Sequence, residues 1–373
     1  MASSHKIIVA VTNDLTHDQR VRKVCDSLVK LGFNPHLVGR KLSSSVEIDR
    51  NYPTTRFRLL FNKGPLFYAE YNIRLFLFLL VKNYKRIHAN DLDTLLASYL
   101  ASRIRRKKLV YDTHEYFTEV PELQNNGFAK RIWEKIETII FPKLERVITV
   151  NQSIANLYEE KYSVPVNVMR NIPDARPVTM IHKDRNMLGL PLDKKILMVQ
   201  GTGINVDRGN EELIEAMKFL DGFFLLVIGS GDVLSKLKEN VKELKIEDRV
   251  TFKDKMPYEE LYHFTLQADA GLSLDKDTNI NYRFSLPNKI FDFIHAGVPC
   301  IVSDLVEVKR VVSDYGVGAV VTSHNPKEMA SQIKAFFEGE SPKERLKANI
   351  QKAALELKWE NEEKVLERVY TMA

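Results

Sequence analysis

Short apolar runs alternate along this chain with segments whose apolar residues recur three and four positions apart. Residues 6–11, KIIVAV, form a strand-like run, and a helical pattern follows over residues 17–33. The same alternation continues through strand-like runs at 35–39, 86–91, 108–115 and 146–151 and helical segments at 93–106 and 128–145. This repetition predicts a mainly parallel sheet with right-handed crossovers.

The order starts again after residues 164–178, whose second half is rich in proline and predicts a linker. Strands and helices are predicted in turn at 194–203, 211–220, 223–231, 248–256, 258–268, 269–274 and 317–321, and a long charged helix at 341–371. The predicted fold class is α/β, with two doubly wound Rossmann-like domains facing each other across a cleft. We expect domains at 1–172 and 173–357, with a C-terminal helix, 358–373, packing back on the first.

Composition fits two soluble domains, because the 373 residues are 44% hydrophobic and 28% charged. Cys25 and Cys300, the only cysteines, lie far apart in the sequence and predict neither a disulfide framework nor a metal site. The N-terminal residues enter a strand-like run at once and lack the pattern of a signal peptide. We therefore expect a cytoplasmic protein.

Basic charge is concentrated in the first domain. The net charge of +6 divides into +10 for residues 1–150 and −4 for the rest, and RIRRKK at 103–108 is the densest cluster. Basic residues also flank the apolar run at 75–81, which is too short to span a membrane. These flanking residues are Arg74, Lys82, Lys85 and Arg86. The run is either a buried helix or a helix lying on an anionic membrane surface. No nucleic-acid-binding signature accompanies the cations, so nucleic acid is not expected as a partner.

In a doubly wound sheet, ligands bind at the carboxyl ends of the strands. The strand at 194–203 leads into NVDRG, where Arg208 precedes Gly209 at a predicted helix start that suits an anion. The strand at 223–231 ends in Gly229, Ser230 and Gly231, a weak motif that leaves room for a nucleobase or ribose. Alternatively, both sites are ordinary strand–helix turns.

The stretch SLPNKIFDFIHAGVPCIVSD, residues 285–304, adds a third candidate. Pro287 and Asn288 open a helix, and Lys289 adds a charge suited to a pyrophosphate. Asp292 follows one turn after Asn288 and suits ribose or sugar hydroxyls. Otherwise, Asn288 is a helix cap and Lys289 and Asp292 form a weak surface pair.

This stretch, together with QGTG…RGNEELIEAM, VIGSGD and IHANDLDTLLASYL, resembles the retaining group-one family of glycosyltransferases over nearly the whole chain. The resemblance implies the two-domain GT-B fold and transfer of a sugar from a UDP- or GDP-linked donor with retained anomeric configuration. It implies that Arg208 holds the donor pyrophosphate, that Gly203 leaves room for it and that Asp292 binds the ribose. It places His114 beside the reacting sugar, whereas Phe284 replaces the first acid of the family signature.

Other polar residues at strand ends of the first domain are candidates for acceptor contact. Asn13 and Asp14 qualify by position, Glu115 by its place beside His114, and Asp91 either contacts the acceptor or caps the next helix. His114, Arg208 and Lys289 are the candidate catalytic residues. A lone histidine is more often structural, but its position at a strand end favours a function.

The expected reaction needs no metal and no cofactor besides the nucleotide sugar, because the DLD at 91–93 and the DKD at 275–277 are better explained as loop and cap acids. The expected acceptor is a saccharide or a lipid-linked sugar in surface or capsular polysaccharide synthesis, and the inner membrane face is the expected place of the lipid-linked reaction. Two alternatives are a nucleotide-sugar 2-epimerase on the same fold and a non-catalytic nucleotide-sugar-binding protein.

Overall fold

The computed structural model of this protein describes residues 5–16, 18–120, 123, 126–174, 183–339 and 343–371. The chain forms two compact units. The first contains the residues up to Asn171 together with those from Glu362 onward, and the second runs from Ile172 to Asn361. Each unit is an α/β domain built on one parallel sheet, as the alternating sequence pattern predicts.

The first unit contains a seven-stranded sheet in the order β3-β2-β1-β4-β5-β6-β7. Its strands are β1 (Lys6–Asp14), β2 (Asn34–Lys41), β3 (Thr54–Arg58), β4 (Arg86–Asn90), β5 (Lys108–Thr113), β6 (Val147–Thr149) and β7 (Val166–Val168). Its helices are α1 (Gln19–Lys30), α2 (Gly64–Val81), α3 (Leu92–Arg105), α4 (Gly127–Ile140) and α5 (Gln152–Tyr162). All neighbouring strands are parallel, and the strand order reverses between β1 and β4.

Helix α2 contains the apolar run at 75–81. Its inner stripe, which includes Tyr71, Leu75 and Leu79, is buried against the sheet, and Tyr71 Oη donates to Val11 O at 2.6 Å. Within the described residues it is also the one helix long and apolar enough to cross a membrane. That criterion is weak, since core helices of soluble proteins also meet it, and the buried stripe shows that α2 belongs to the layer covering the sheet.

The second unit contains a six-stranded parallel sheet in the order β10-β9-β8-β11-β12-β13. Its strands are β8 (Lys195–Gly201), β9 (Phe223–Gly229), β10 (Val250–Asp254), β11 (Ala270–Ser273), β12 (Cys300–Ser303) and β13 (Gly318–Val321). Its helices are α6 (Asn210–Ala216), α7 (Leu234–Glu243), α8 (Tyr258–Thr265), α9 (Ile280–Arg283), α10 (Lys289–His295), α11 (Val306–Tyr315), α12 (Pro326–Glu338), α13 (Lys343–Glu356) and α14 (Trp359–Glu362). Apolar clusters cover both faces of this sheet, and its strand order reverses between β8 and β11.

Several elements differ from the sequence expectation, and helices α7, α11 and α12 lack a predicted counterpart. The helix predicted over 341–371 is divided into α13, α14 and α15 (Lys364–Thr371) within the described residues. Strand β3 and helix α5 have no counterpart among the predicted elements, because their apolar residues are few and their periods are short. Strand β7 lies near the start of residues 164–178, before the second half that the sequence predicted as a linker. Residues 175–178 of that linker lie outside the described part of the chain.

Candidate functional site

The switch point of the second sheet brings together two residues that lie far apart in the sequence. Arg208 is in the loop that follows β8, and Asp275 follows β11. Gly209 has φ of +70°, and a Cβ there would lie 2.1 Å from the carbonyl oxygen of Leu274. The glycine therefore lets the loop approach the end of β11 closely enough for Arg208 to contact Asp275.

Arg208 and Asp275 form an ion pair between Nη1 and Oδ2. The Asp275 side chain is only 2% exposed, and the Arg208 guanidinium lies 4.1 Å from the centre of the Tyr282 ring. Arg208 Nε and Asp275 Oδ1 are buried without a hydrogen-bond partner among the described residues. Because buried polar groups are almost always satisfied, these two atoms indicate a place where a ligand completes the hydrogen bonding.

Lys289 lies in the same cluster. Burial lowers the pKa of its ammonium group, the nearby Asp275 carboxylate raises it, and the Arg208 guanidinium lowers it. Arg208 and Lys289, which the sequence suggested as partners, therefore both interact electrostatically with Asp275. The sequence did not indicate this acid, and the cluster of two cations and one carboxylate has a formal charge of +1.

The opening residues of α10 differ in their roles. Pro287 is half-buried, and Asn288 is exposed and forms no side-chain hydrogen bond with the start of the helix. The interpretation of Asn288 as a side-chain cap is therefore wrong. Asp292 lies one turn later on the same helix, and its Oδ1 accepts a hydrogen bond from the Tyr258 hydroxyl. Gln200 Nε2 is 3.5 Å from Asp292 Oδ2, so side chains from β8 and α8 orient this carboxylate.

The glycines of the two loops serve different purposes. A Cβ at Gly229 or Gly231 would lie 2.0 Å or less from a backbone oxygen of Gly201 or Ile204, so these glycines allow the loops to pack together. Ser230 N donates to Gly201 O at 3.0 Å within this packing. A Cβ at Gly203 would meet no atom within 4 Å, which leaves open space beside the loop. The donor-binding roles of these residues stay predictions.

In the first unit, Asp91 follows β4 with an unusual backbone. Its φ of 57° and ψ of 166° are rarely adopted by residues other than glycine and cost about 1–3 kcal/mol. Its side chain does not cap α3. Instead, Oδ1 accepts from His114 N at 2.8 Å, and Oδ2 lies 3.1 Å from His114 Nδ1. Of the two alternatives left open for Asp91, the capping role is therefore wrong.

His114 lies between two carboxylates. Its Nε2 is 3.6 Å from Asp112 Oδ2, too long for a hydrogen bond but close enough for an ion pair. Burial alone would lower the histidine pKa, but Asp91 and Asp112 outweigh it and raise the pKa to about 10. The imidazole is therefore a cation near neutral pH, and both ring nitrogens face carboxylates. This arrangement does not provide a general base.

Asp112 is fully buried and joins further groups to the site. Arg20 binds it through Nη2 at 2.7 Å and Nε at 3.3 Å, and His88 Nε2 lies 3.5 Å away. The Arg20 guanidinium and His114 hold the pKa of this carboxyl well below its ordinary value despite burial. His88 Nδ1 is 2.8 Å from the Tyr370 hydroxyl of α15, so the C-terminal helix supports this network.

Asp93 behaves in the opposite way. Burial and the neighbouring Asp91 raise its pKa to about 8, and Thr12 Oγ1 donates to its Oδ2 at 2.5 Å. Below that pH its carboxyl group is mainly protonated and neutral. The sequence interpretation of DLD at 91–93 as ordinary loop and cap acids missed both this carboxyl and the ion pair of Asp91.

The remaining acceptor-side candidates are less enclosed. Asn13 is exposed, and its Nδ2 donates to Asp18 at 3.0 Å. Asp14 Oδ1 accepts from Thr16 N at 2.9 Å, and Oδ2 accepts from the Ser45 hydroxyl, so Asp14 organises the loop after β1. Glu115 is exposed beside His114. The structure leaves their proposed acceptor contacts untested.

Several residues of these sites were not among the sequence candidates: Arg20, His88, Asp93, Asp112, Tyr258, Asp275 and Tyr282. Asp112 and Asp275 do end strands, which is a signal that could have identified them. Arg20 and Tyr258 lie on helices and reach their partners only through tertiary packing. Among the residues that the structure describes, no group of three or more His, Cys, Asp or Glu side chains is arranged to hold a metal ion.

Comparison with known proteins identifies the class. A family model described as glycosyl transferases group 1 matches residues 180–353, and one described as glycosyltransferase family 4 matches residues 18–175. Sucrose-phosphate synthase from Thermosynechococcus elongatus superposes with a TM-score of 0.79 at 17% identity, covering 98% of each chain. The Anabaena protein HepE in complex with UDP-glucose superposes with a TM-score of 0.73 at 15% identity, covering 99% of this chain and 100% of that one. These superpositions show the fold.

A curated relative extends the comparison. The chitobiosyldiphosphodolichol beta-mannosyltransferase of Debaryomyces hansenii is 20% identical over 89% of this chain and 79% of its own length. The two family models together cover most of both units. The second half of this chain therefore matches the group 1 glycosyltransferase model and the first half matches the family 4 model, on the GT-B fold that the motifs predicted.

Proposed function

We propose that this protein transfers a sugar from a UDP- or GDP-linked donor to a saccharide or lipid-linked acceptor. The observation that carries the proposal is the cluster of Arg208, Lys289 and Asp275 in the second unit. There, a guanidinium nitrogen and a carboxylate oxygen are buried without partners among the described residues, and the loop that carries Arg208 has open space at Gly203. The HepE complex supports the donor class, since that protein is bound to UDP-glucose.

In this proposal the cluster stabilises the departing diphosphate. Negative charge accumulates on the leaving group as the sugar becomes oxocarbenium-like, and Arg208 and Lys289 supply preorganised positive potential. No metal ion is required. Asp275 holds the guanidinium in position through their ion pair. Asp292, oriented by Tyr258, accepts hydrogen bonds from the ribose hydroxyls of the nucleotide.

His114 acts in the first unit as a fixed cation rather than as a base. Its two carboxylate neighbours favour the protonated ring, so its contribution is electrostatic orientation of the sugar. The departing phosphate oxygen then takes the acceptor proton, and the anomeric configuration of the donor is retained. The name of the Debaryomyces relative specifies a beta linkage, so the anomeric outcome of this reaction has to be measured. Proton NMR of the anomeric signal in the first-formed product decides between retention and inversion.

We place the reaction in surface or capsular polysaccharide synthesis, in the cytoplasm with peripheral contact to an anionic membrane. The basic first unit and the basic residues that flank the apolar run of α2 support the membrane contact. The relative from Debaryomyces is named for a dolichol-linked substrate, which supports a lipid-linked acceptor as one of the two alternatives.

Calorimetric titration with UDP, GDP and their sugar conjugates tests the donor site. Replacement of Arg208 or Lys289 by alanine should lower the affinity for the ligand that binds about 10- to 150-fold. This factor corresponds to the loss of one charged hydrogen bond. Lys218→Ala, at an exposed lysine of the same unit, is the matched control and should bind normally. Unchanged affinity in both site variants would contradict the assignment.

Radiolabelled donors separate this function from its two alternatives, which the fold alone does not exclude. A transferase releases a nucleoside diphosphate and labels the acceptor, whereas a 2-epimerase changes the sugar of the free donor. A non-catalytic nucleotide-sugar-binding protein does neither. Neutral Asp93 and cationic His114 do not form the acid–base pair that proton abstraction requires, and this favours the transferase.

A further inference from the structure

Three helices form one layer on the first sheet. Helix α2 connects β3 to β4, helix α3 connects β4 to β5, and helix α4 connects β5 to β6. All three connections run in the same direction across the sheet. Right-handed crossovers therefore place them on the same face. Contacts join α2 to α3 and α3 to α4, and the Tyr68 and Trp133 rings meet with centroids 5.2 Å apart.

The outer surface of this layer is unusually apolar. Large aliphatic side chains, each at least 44% exposed, recur at helical spacing on all three helices: Ile73, Leu77, Leu100, Ile104, Ile132 and Ile139. Single exposed apolar residues are ordinary, but a set shared by three adjacent helices of one layer is more than scattered exposure. The exposed stripe of α2 is thus part of a larger surface.

A groove of about 280 Å³ runs between α3 and α4 within this patch. Aliphatic residues from the two helices line it, together with Tyr99 and Lys135. Leu100, Ile132 and Ile139 are both groove residues and exposed members of the patch. The groove is therefore an open apolar depression between the two helices.

A basic pocket of about 430 Å³ adjoins the groove, because Tyr99 lines both. Five cations contribute to it, against the single acid Glu145, and they come from two segments: Arg103, Arg106, Lys107, Lys108 and Lys143. The RIRRKK cluster is therefore concentrated at one pocket rather than spread over a solvated helix end. Arg105 is engaged separately, since its Nη1 donates to the Leu79 and Leu80 carbonyls at the end of α2.

We propose that this pocket and groove bind an anionic phospholipid of a membrane surface. The phosphate of the headgroup lies among the cations, and the acyl region contacts the groove and the exposed aliphatic patch. Charge complementarity identifies the occupant, since an apolar groove joined to a pocket of five cations matches one molecule that has both a phosphate and hydrocarbon. The inference deepens the membrane contact proposed above and rests on it.

The location separates this site from the candidate catalytic residues. Lys108 begins β5, whereas His114 follows its end, and the strand between them spans about 17 Å. Lipid at the pocket therefore leaves the Asp91–His114 pair free. Nucleic acid fits less well, because the groove beside the cations offers aliphatic side chains instead of stacking surfaces.

Vesicle co-sedimentation of the full chain tests the inference. Wild-type protein should sediment with phosphatidylcholine vesicles that contain 30% phosphatidylglycerol, and far less with phosphatidylcholine alone. The double variant Arg103→Ala, Lys143→Ala should lower the partition coefficient about 25-fold, at about fivefold for each cation near an anionic surface. Ile104→Ser with Ile139→Ser should lower it about tenfold, since both side chains contribute apolar area.

Matched exposed positions in the second unit supply the controls. Lys218→Ala with Lys236→Ala removes two exposed lysines, and Leu355→Ser removes a leucine that is 70% exposed. Both controls should sediment like the wild type, and circular dichroism should show every variant folded. Equal binding to the two vesicle types, or full displacement by millimolar glycerol phosphate, would overturn the lipid assignment. Preferential binding of single-stranded RNA through the same cations would also overturn it.

The two proposals fail in different ways. Titration with nucleotides should give the same affinity for the Arg103, Lys143 double variant as for the wild type. A protein that binds nucleotide sugars but ignores anionic vesicles refutes the lipid site and leaves the transferase proposal intact. A protein that sediments with vesicles but binds no donor refutes the transferase proposal alone.

Discussion

Replacement of Asp91 by asparagine should convert His114 from a permanent cation into a group that titrates near neutral pH. The substitution keeps an oxygen acceptor for the backbone N–H of His114 and removes one negative charge. That charge lies 3.1 Å from the ring nitrogen Nδ1. At an effective dielectric constant of about 20, it favours the imidazolium by at most about 5 kcal/mol, or about 4 pKa units.

The expected shift is smaller than this ceiling. The His114 ring is 20% exposed, so water screens part of the interaction, and Asp112 still lies 3.6 Å from Nε2. Asparagine also keeps its carbonyl oxygen near Nδ1. We therefore expect the pKa of His114 to fall by about 1.5–3 units, from about 10 toward about 7–8.5.

Histidine-selective ¹³C labelling and NMR titration measure this shift directly. The chain has nine histidines, and His114→Gln identifies the signal by its disappearance. Asp49→Asn, at an exposed aspartate of the same unit, is the control and should leave the signal unchanged. A wild-type pKa near 6.5 for His114, or a shift of its pKa below about half a unit in Asp91→Asn, would refute the conclusion that Asp91 keeps the His114 ring charged.

The same substitution has a signed effect on stability. The folded state raises the pKa of His114, so its stabilising contribution is complete below the unfolded value near 6.5 and is lost as pH rises through about 10. In Asp91→Asn that loss should occur about 1.5–3 pH units lower. Urea unfolding should therefore show the variant weaker than wild type by about 2–4 kcal/mol at pH 6. The deficit should shrink in alkaline solution.

Four further substitutions test other parts of the two sites. Gly231→Ala should lower the melting temperature by several degrees, because its Cβ would lie 2.0 Å from a backbone oxygen. Gly203→Ala should leave the melting temperature unchanged, because its Cβ would meet open space, and should weaken donor binding in calorimetry. Arg20→Ala should destabilise the first unit by about 3–5 kcal/mol in chemical unfolding, since it leaves the buried Asp112 carboxylate without its main partner; wild-type stability would contradict this. Tyr258→Phe should keep the fold and reduce nucleoside diphosphate affinity about 5- to 10-fold, and an unchanged affinity would exclude an orienting role toward the ribose-binding carboxylate.

The sequence predicted the fold class because most strands and several helices carry their own local pattern. Strand β8 and helix α1, for example, can be identified from apolar spacing alone. Strand β3 and helix α5 could not, because short elements carry too few apolar positions to establish a period. The subdivision of the last helix depends on tertiary contacts instead, since Trp359 N donates to Pro173 O at 3.2 Å, far along the chain.

Candidate site residues were predictable by position, but their electrostatic states were not. Strand ends at a switch point identify Asp91, His114 and Arg208 as groups facing a ligand site. Whether each is charged, paired or strained depends on partners more than 20 residues away. Asp275 is the clearest case, because a surface cap and the buried ion-pair partner of an arginine look the same in the sequence.

The two units solve one physical problem in opposite ways. In the first, the negative charge of the buried Asp112 carboxylate is compensated by Arg20 and by the cation of His114. When Asp91 is counted as negative and Asp93 as neutral, the formal charge of the network is zero. In the second, one carboxylate faces two cations, which leaves a charge of +1 and buried atoms without partners. Buried atoms without partners also occur in the first unit, at His88 Nε2, His114 Nε2 and Asp93 Oδ1, so the two networks differ in their net charge. A network with no net charge suits an uncharged sugar. An unsatisfied cationic cluster suits a diphosphate, because the ligand itself supplies the missing charge and hydrogen bonds. This difference in charge supports the separate roles proposed above for the two units.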